Sequence, residues 1–421
     1  MKAWRAAALG VTGLALALSL REAAAQRIDP RRPATFVVGA PAGPAPMHRV
    51  DGRRSGLTRQ PLPAGTLRVP WKKATSFTVD QPALAGPDGL AVVSTHGDVT
   101  FLDDAGEERA TVRVAAAQVG PATITSDGTV VYATGNGEVV GVRRTSTSPR
   151  FTTRIGGERA SRTAAPLSLD DGGVVVATAS ELVLLDAEGN VRARSTIPEA
   201  PASPLVAAGD RIVVVGASGA VFAWSPGREA VRVGSFGAPI DGGAALADAT
   251  TLVAVIEGNH LAEVDLARGA RTTRAIAAQG LLLGPPSLRP RLADGGGGAV
   301  ATVLAITTTR GHIVTLDASG QELLRAPVTS YTATVLPDGG VTPLVAPPHV
   351  PPLVDGRGAV AYAATDGKVG VIGPEGAVEE IGEVLCPRGV RAGVVGLTPA
   401  GPGAFAVTCD GGTVVKVTGS R

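Results

Sequence analysis

One phrase recurs along this chain, and it constrains the fold more than any other feature. A proline opens a short apolar stretch, an Asp-Gly or similar turn follows, and a glycine turn then joins two Val- and Ala-rich runs. The opening prolines are Pro82, Pro121, Pro166, Pro204, Pro239, Pro286 and Pro352. A period of about 40 residues with several strands in each unit is typical of a β-propeller.

The two ends of the repeat region determine the predicted number of blades. After Val395 the sequence contains only part of a unit, and the stretch 65–73 has the pattern of an outer strand with no blade before it. We predict that the two ends share one blade, since such closure leaves no open sheet edge. The predicted fold is therefore all-β, an eight-bladed β-propeller of four-stranded antiparallel blades whose last blade is closed by the N-terminal strand. A seven-bladed ring with a loosely packed tail is the alternative.

The N-terminal region has the composition of an export signal. Lys2 and Arg5 precede an apolar run from Ala6 to Leu20, and three alanines at 23–25 supply a small-residue cleavage site. We predict a signal peptide over 1–25, with an uncleaved anchor as the alternative. Because no cysteine lies near this site, we expect a soluble periplasmic or extracellular protein without a lipid anchor or an integral membrane span.

The remaining chain divides by composition into two parts. Residues 26–65 are rich in Pro, Arg and Gly and show no sustained period, which predicts a linker or a wrapping arm. Residues 66–421 are predicted to form the propeller domain. Lys and Arg together number 39 against 37 Asp and Glu, and aromatic residues make up 3%. This composition argues against a nucleic-acid partner, which requires basic surface or stacking aromatics.

Two features interrupt the regular pattern. Cys386 and Cys409 are the only cysteines, and in an oxidising compartment an even pair favours a disulfide over two buried thiols. The step from Pro286 to Pro352 is the longest, and its surplus lies at 330–350. This insertion falls at a crossing between blades, so it is either a functional loop or a spacer hairpin.

The repeat resembles the pyrroloquinoline-quinone-like repeat of exported bacterial propellers, a superfamily that includes the outer-membrane assembly propeller. The matching segments end the third strand of their blades in Asp followed by a glycine: Leu102–Gly106, Leu185–Gly189, Val264–Gly269 and Leu316–Gly320. The stretch 46–58, followed by Trp71, is similar to the leader of these proteins. The resemblance extends over residues 46–420.

This resemblance implies one of two functional groups. The quinoprotein dehydrogenases have a vicinal disulfide, a tryptophan under the quinone, calcium ligands and a catalytic aspartate. Here the cysteines are 23 residues apart, so the chain resembles the non-catalytic scaffolds and sensor ectodomains more closely. We expect a monomeric, non-enzymatic protein without a cofactor that binds an envelope protein or peptide. The alternative is an oxidoreductase that uses pyrroloquinoline quinone with calcium, or another propeller enzyme.

Most conspicuous polar residues are interpreted as structural. Asp103, Asp186, Asp265 and Asp317 recur at one repeat position, where an aspartate accepts backbone N–H bonds in the following turn. The glycine run 295–298 lacks the Lys-Ser/Thr of a phosphate loop. The five histidines form no spaced metal-ligand motif, so no metal site is predicted. His48, His96, His260, His312 and His349 are these histidines.

The predicted binding residues lie in the turns between the second and third strands of the blades. Propeller topology places these turns on the same side of the ring as the insertion. The residues selected there are His96, Asn136, Ser218, Asn259, Arg310, Asp366 and Asp410, with His349 in the insertion. No catalytic residue is predicted.

Overall fold

The structure is a computed structural model. It describes residues 47, 49–51, 53–75, 77–156, 164–277, 280–290, 302–317, 320–328, 332–335, 341–344, 350–364, 367–383, 385–386 and 393–420. The predicted signal peptide lies outside these ranges. Within them, no helix is long and apolar enough to cross a membrane.

All the regular elements in these ranges are strands. In chain order they are β1 (Leu57–Thr58), β2 (Leu67–Ala74), β3 (Leu84–Gly86), β4 (Gly89–Val93), β5 (Val99–Leu102), β6 (Glu108–Val112), β7 (Gln118–Ile124), β8 (Val130–Thr134), β9 (Glu138–Val142), β10 (Phe151–Arg154), β11 (Leu167–Ser168), β12 (Val174–Ala177), β13 (Glu181–Leu185), β14 (Val191–Thr196), β15 (Val206–Ala208), β16 (Arg211–Val215), β17 (Ala220–Trp224), β18 (Val231–Ser235), β19 (Ile240–Leu246), β20 (Thr251–Ile256), β21 (His260–Asp265), β22 (Arg271–Ala275), β23 (Leu282–Pro290), β24 (Thr302–Thr308), β25 (His312–Leu316), β26 (Glu322–Pro327), β27 (Thr332–Val335), β28 (Val341–Leu344), β29 (Leu353–Asp355), β30 (Val360–Ala363), β31 (Val369–Ile372), β32 (Val378–Glu380), β33 (Val394–Pro399), β34 (Ala404–Cys409) and β35 (Thr413–Gly419).

Apart from β1, β27 and β28, these strands form the eight four-stranded antiparallel blades of a β-propeller. Blades 1 to 7 are β3–β6, β7–β10, β11–β14, β15–β18, β19–β22, β23–β26 and β29–β32. In each of them the chain runs from the innermost strand outward. The repeated prolines lie in or just before the innermost strands, as the sequence predicted.

Blade 8 combines the two ends of the repeat region. Its strand order is β33, β34, β35 and then β2 at the outside. Strand β2 pairs antiparallel with β35, from Leu67 opposite Gly419 to Ala74 opposite Thr413. This pairing confirms the shared blade and the count of eight rather than seven.

The core lies between neighbouring blades and is made of small aliphatic residues. Val131 and Val139 of blade 2, for example, pack against Val174 and Val183 of blade 3, and all four are fully buried. With so few aromatic residues, close blade packing depends on Val, Ala and glycine. At Gly106 an added Cβ would lie 2.5 Å from Cδ2 of Trp71, the indole of the preceding blade.

The recurrent aspartates stabilise turns, as the sequence predicted. Oδ1 of Asp103 accepts the backbone N–H groups of Ala105 and Glu107, each at 2.9 Å. Asp186 accepts from the backbone of Glu188 and Asn190 in the same way. Each carboxylate thereby satisfies donors that the tight turn leaves without a strand partner.

The two departures from the repeat have defined structures. In the insertion, β27 and β28 form an antiparallel hairpin that pairs Thr332 with Leu344. Cys386 and Cys409 are joined by a disulfide with a Cα–Cα distance of 5.5 Å. This link ties the segment that enters blade 8 to the central strand of that blade.

Candidate functional site

The turn face is the side of the ring that carries the turns between the second and third strands of the blades. His96, Asn136, Ser218, Asn259, Arg310 and Asp410 lie in these turns of blades 1, 2, 4, 5, 6 and 8 respectively. Asp366 and His349 lie outside the described residues. The six described residues are therefore distributed around the ring, one on each of six blades.

At blade 1, His96 lies beside an aromatic residue of the segment that connects β2 of blade 8 to β3 of blade 1. The ring centroids of His96 and Phe77 are 5.9 Å apart, with a tilt of 49° between the planes. His96 is exposed and Phe77 is half-buried. The exposed imidazole and the accessible edge of the half-buried phenyl ring together offer one polar and one apolar group for contact with a protein surface, where aromatic residues such as Phe are enriched.

At blade 4, Ser218 is fixed by a carboxylate from the preceding crossing. Glu199 accepts the Ser218 backbone N–H at 2.9 Å and its hydroxyl at 2.8 Å. These two hydrogen bonds lower the pKa of Glu199, and the bond from the backbone has the larger effect. The carboxylate therefore stays ionised and holds the turn in place.

At blades 5 and 6, a large apolar side chain is exposed next to two of the predicted residues. Leu281 is 53% exposed. Its side chain borders Gly258, the residue before Asn259. Its backbone exchanges hydrogen bonds with Thr309, the residue before Arg310. The sequence reasoning missed Leu281 because the repeat pattern does not distinguish it from buried leucines.

Backbone hydrogen bonds make the turn face rigid. In blades 2 to 6 an apolar residue after the outer strand donates its N–H to a carbonyl of the turn, as Ile155 does to Gly137 and Ile197 to Ser180. At blade 8 the Asp410 carbonyl accepts from Val79 in the same manner, at 2.9 Å. These bonds therefore fix the backbone of the turns that carry the predicted residues.

In the described part of the chain, no three His, Cys, Asp or Glu residues are grouped so that they could hold a metal ion. The hydrogen bonds of the predicted residues fix their own turns, as the Glu199 bonds do at Ser218.

The central channel holds a second unusual arrangement. Residues 47–58, here called the channel segment, contact the innermost strands of several blades. The carbonyls of Arg53, Ser55 and Gly56 accept N–H groups from blades 5, 6 and 7 at 2.9, 2.8 and 2.9 Å. Strand β1 continues by pairing in parallel with β29. Of the expected arm, the described residues between Met47 and Thr58 thus lie against the inner strands of the ring.

Arg54 anchors the channel segment to the opposite side of the ring. Its side chain is fully buried. Nε donates to the Leu205 carbonyl at 2.8 Å, and Nη2 donates to the carbonyls of Ala165 and Pro166 at 3.1 and 2.9 Å. Burial lowers the pKa of Arg54 to about 10, so the guanidinium remains charged at neutral pH.

Asp51 is the acidic partner inside the segment. Its carboxylate accepts the backbone N–H of Ser55 at 3.2 Å and the Ser55 hydroxyl at 3.0 Å. Burial raises its pKa despite these bonds and the nearby Arg54 and Arg53. The sequence contains one signal of this arrangement, an aspartate among three arginines within six residues at 49–54.

Comparison with known proteins supports the class of fold. The chain matches no protein-family model and no curated protein. Among solved structures it is similar to BamB from Moraxella catarrhalis, with a TM-score of 0.57, 16% identity, and coverage of 84% of this chain and 98% of that one. It is also similar to the computationally designed Ika8 protein, with a TM-score of 0.61, 14% identity, and coverage of 82% and 98%.

A third similar structure is the C-terminal WD40 domain of Sif2, with a TM-score of 0.57, 14% identity, and coverage of 84% of this chain and 99% of that one. At these identities the likeness shows the β-propeller fold alone. The likeness to the pyrroloquinoline-quinone-like repeat stays a resemblance based on the sequence.

Proposed function

We propose that this protein is exported to the cell envelope and acts there as a non-enzymatic scaffold that binds a protein partner on its turn face. The observation that carries the proposal is a hydrogen-bonded turn face that presents the exposed side chains of His96 and Leu281, with the half-buried ring of Phe77 beside His96. Pre-organised side chains of this kind lose little conformational entropy when a partner binds. The similarity to BamB and to a WD40 domain agrees with such a role.

The channel segment also supports a scaffold over a quinone-dependent oxidoreductase. A cofactor in the channel would share that space with residues 47–58, which are hydrogen-bonded to the inner strands of blades 5, 6 and 7. The cysteines are not adjacent in sequence, since they are 23 residues apart. The residues present therefore do not fit a site with a vicinal disulfide.

Matched photo-crosslinking tests the proposed surface. A photoreactive residue is placed at Leu281 on the turn face and, as a control, at Leu323 in β26, because both side chains are 53% exposed. We expect discrete adducts in the intact envelope from position 281 and none from position 323. Equal adducts from both positions, or none from either, would contradict the proposal.

The insertion is tested as a separate part of this surface. Replacing residues 330–349 with a short Gly-Ser linker, which keeps the buried Val350, should weaken the adduct at position 281 while the melting temperature changes little. The reason is that β27 and β28 pair only with each other among the described strands. An unchanged adduct would identify the hairpin as a spacer.

The enzymatic alternative has its own experiment. Pyrroloquinoline quinone and calcium are added to the purified protein, and the absorption spectrum and dye reduction are recorded. We expect no stoichiometric quinone spectrum. Such a spectrum together with dye reduction would overturn the scaffold proposal.

A further inference from the structure

Arg49 occupies an unusual position in the channel. Its side chain is only 8% exposed. Nη2 donates to the Pro286 carbonyl at 2.8 Å and to the hydroxyl of Ser287 at 2.9 Å. The backbone carbonyl of Arg49 accepts from Asp51 and Gly56, which fixes the turn that carries the side chain. The guanidinium is therefore held in one place against blade 6.

The other two nitrogens of this guanidinium lack partners. Nε and Nη1 of Arg49 are buried and donate to no acceptor among the described residues, and Nε of Arg53 is likewise buried without an acceptor there. Arg54 differs, because three backbone carbonyls satisfy its Nε and Nη2. A buried donor without an acceptor destabilises the folded state because its lost hydration is not replaced, and the effect is larger when the donor is charged.

The charge in the channel segment is also unbalanced. Residues 49–54 contain three arginines and a single aspartate. The carboxylate of Asp51 is already bonded to Ser55. The nearby buried carboxylate of Asp355 is paired with Arg357 and bonded to the backbone of Leu62. Positive charge in excess and unpaired guanidinium donors therefore coincide at Arg49.

We propose that the channel binds one small inorganic oxyanion, of the phosphate or sulfate class, through Nε and Nη1 of Arg49. Guanidinium groups favour oxyanions because several oxygens are available as acceptors and the hydrogen bonds are charge-assisted. A water molecule would satisfy one or both donors but would leave the charge unbalanced. The bound anion would stabilise the channel segment and, through it, the inner strands that the segment connects.

Thermal unfolding of the full-length purified protein tests this site. The melting temperature is measured with increasing sodium phosphate and, at equal ionic strength, with sodium chloride. Because phosphate binds the folded state, we expect a saturable rise of several degrees that chloride does not reproduce. The rise should be absent in Arg49→Gln and retained in Arg268→Gln, whose side chain is 84% exposed. Equal rises in the two salts, or a full rise in Arg49→Gln, would overturn the proposal.

A direct measurement remains decisive if Arg49→Gln does not fold. Crystals of the unmodified protein are soaked in selenate, and the anomalous signal of selenium is located. A peak within hydrogen-bond distance of Nε or Nη1 of Arg49 supports the site. A peak only at surface positions, meaning an adventitious ion only, or a water without anomalous signal at Arg49, would refute it.

Discussion

The charged residues of the channel segment and those of the aspartate turns stabilise the fold in different ways. In the turns, carboxylates such as Asp103 recur from blade to blade, remain near solvent and bond to the turn that follows them. In the channel, Arg54 occurs once, is fully buried and bonds to the backbones of blades 3 and 4. The repeated residues each stabilise one turn, whereas the single residue connects separate blades.

This difference indicates where the fold tolerates change. A turn aspartate supports a local loop, and its loss leaves the other blades intact. A channel residue acts on several blades at once, and in a closed ring each blade depends on its two neighbours. We therefore expect residues that depart from the repeat to have the larger effects on stability.

The largest single-residue effect is expected for Arg54→Ala. The substitution removes the donor of three buried carbonyls, so the free energy of unfolding should fall by about 3–5 kcal/mol. Urea unfolding monitored by Trp fluorescence measures this change. The control Arg268→Ala, with a side chain 84% exposed, should change it by less than about 0.5 kcal/mol. A loss at Arg54 no larger than at Arg268 would remove the distinction between the two regions.

The disulfide should have the next largest effect, because it too departs from the repeat. Replacing both Cys386 and Cys409 with alanine removes a cross-link between residues 23 apart in the sequence. The chain-entropy relation then predicts that the free energy of unfolding falls by about 3 kcal/mol. The same urea unfolding curves, with and without reductant, measure it. Reductant should shift the parent protein towards the double variant and leave the variant unchanged. A shift of the variant would point to another effect of the reductant.

The sequence predicted the eight-bladed ring well because the repeat units can be counted and the incomplete units at the two ends complement each other. Seven opening prolines, an orphan strand at 65–73 and a partial unit after Val395 together require a shared blade. The same topology placed His96 and Ser218 in turns on one side of the ring.

The channel segment was not predicted because its contacts leave no pattern in the sequence. Arg54 bonds to backbone carbonyls, which every residue type supplies. Arg49, Val50 and Arg54 adopt positive φ angles of 58°, 78° and 57°. Such angles are rare for these residue types, so local propensity argues against this conformation and only the surrounding ring stabilises it.

Two glycines allow the cost of a left-handed backbone conformation to be measured apart from the cost of a clash between blades. Gly106 and Gly128 both have φ of +79°, but an added Cβ would meet Trp71 at 2.5 Å at Gly106 and nothing within 4 Å at Gly128. Alanine at Gly128 should cost about 1 kcal/mol for the left-handed conformation alone. At Gly106 we expect about 1 kcal/mol more, since the indole of Trp71 must move. Equal melting temperatures for the two variants would show that this packing contributes little.

The smallest expected effect is a difference in pH dependence between the two regions. Although burial alone would raise it, hydrogen bonds from Thr125, Thr129, Arg150 and Arg143 hold the pKa of Asp127 below its usual value. A folded-state pKa below the unfolded value of about 3.9 stabilises the protein above that pH, and this contribution is lost as the pH falls further. Solvent exposure of Asp127 limits the effect to under about 1 kcal/mol.

Asp51 has the opposite sign, because burial raises its pKa in spite of Ser55, Arg53 and Arg54. Its protonation in the folded state becomes favourable as the pH falls, so this group opposes acid unfolding. Between pH 6 and pH 3, the free energy of unfolding, measured with urea, should therefore fall less steeply for Asp127→Asn than for the parent protein. For Asp51→Asn it should fall more steeply. Asp104→Asn, with a side chain 90% exposed, is the control and should follow the parent. If the Asp127 and Asp51 variants change the slope in the same direction, the contrast between exposed turns and buried channel does not hold for these carboxylates.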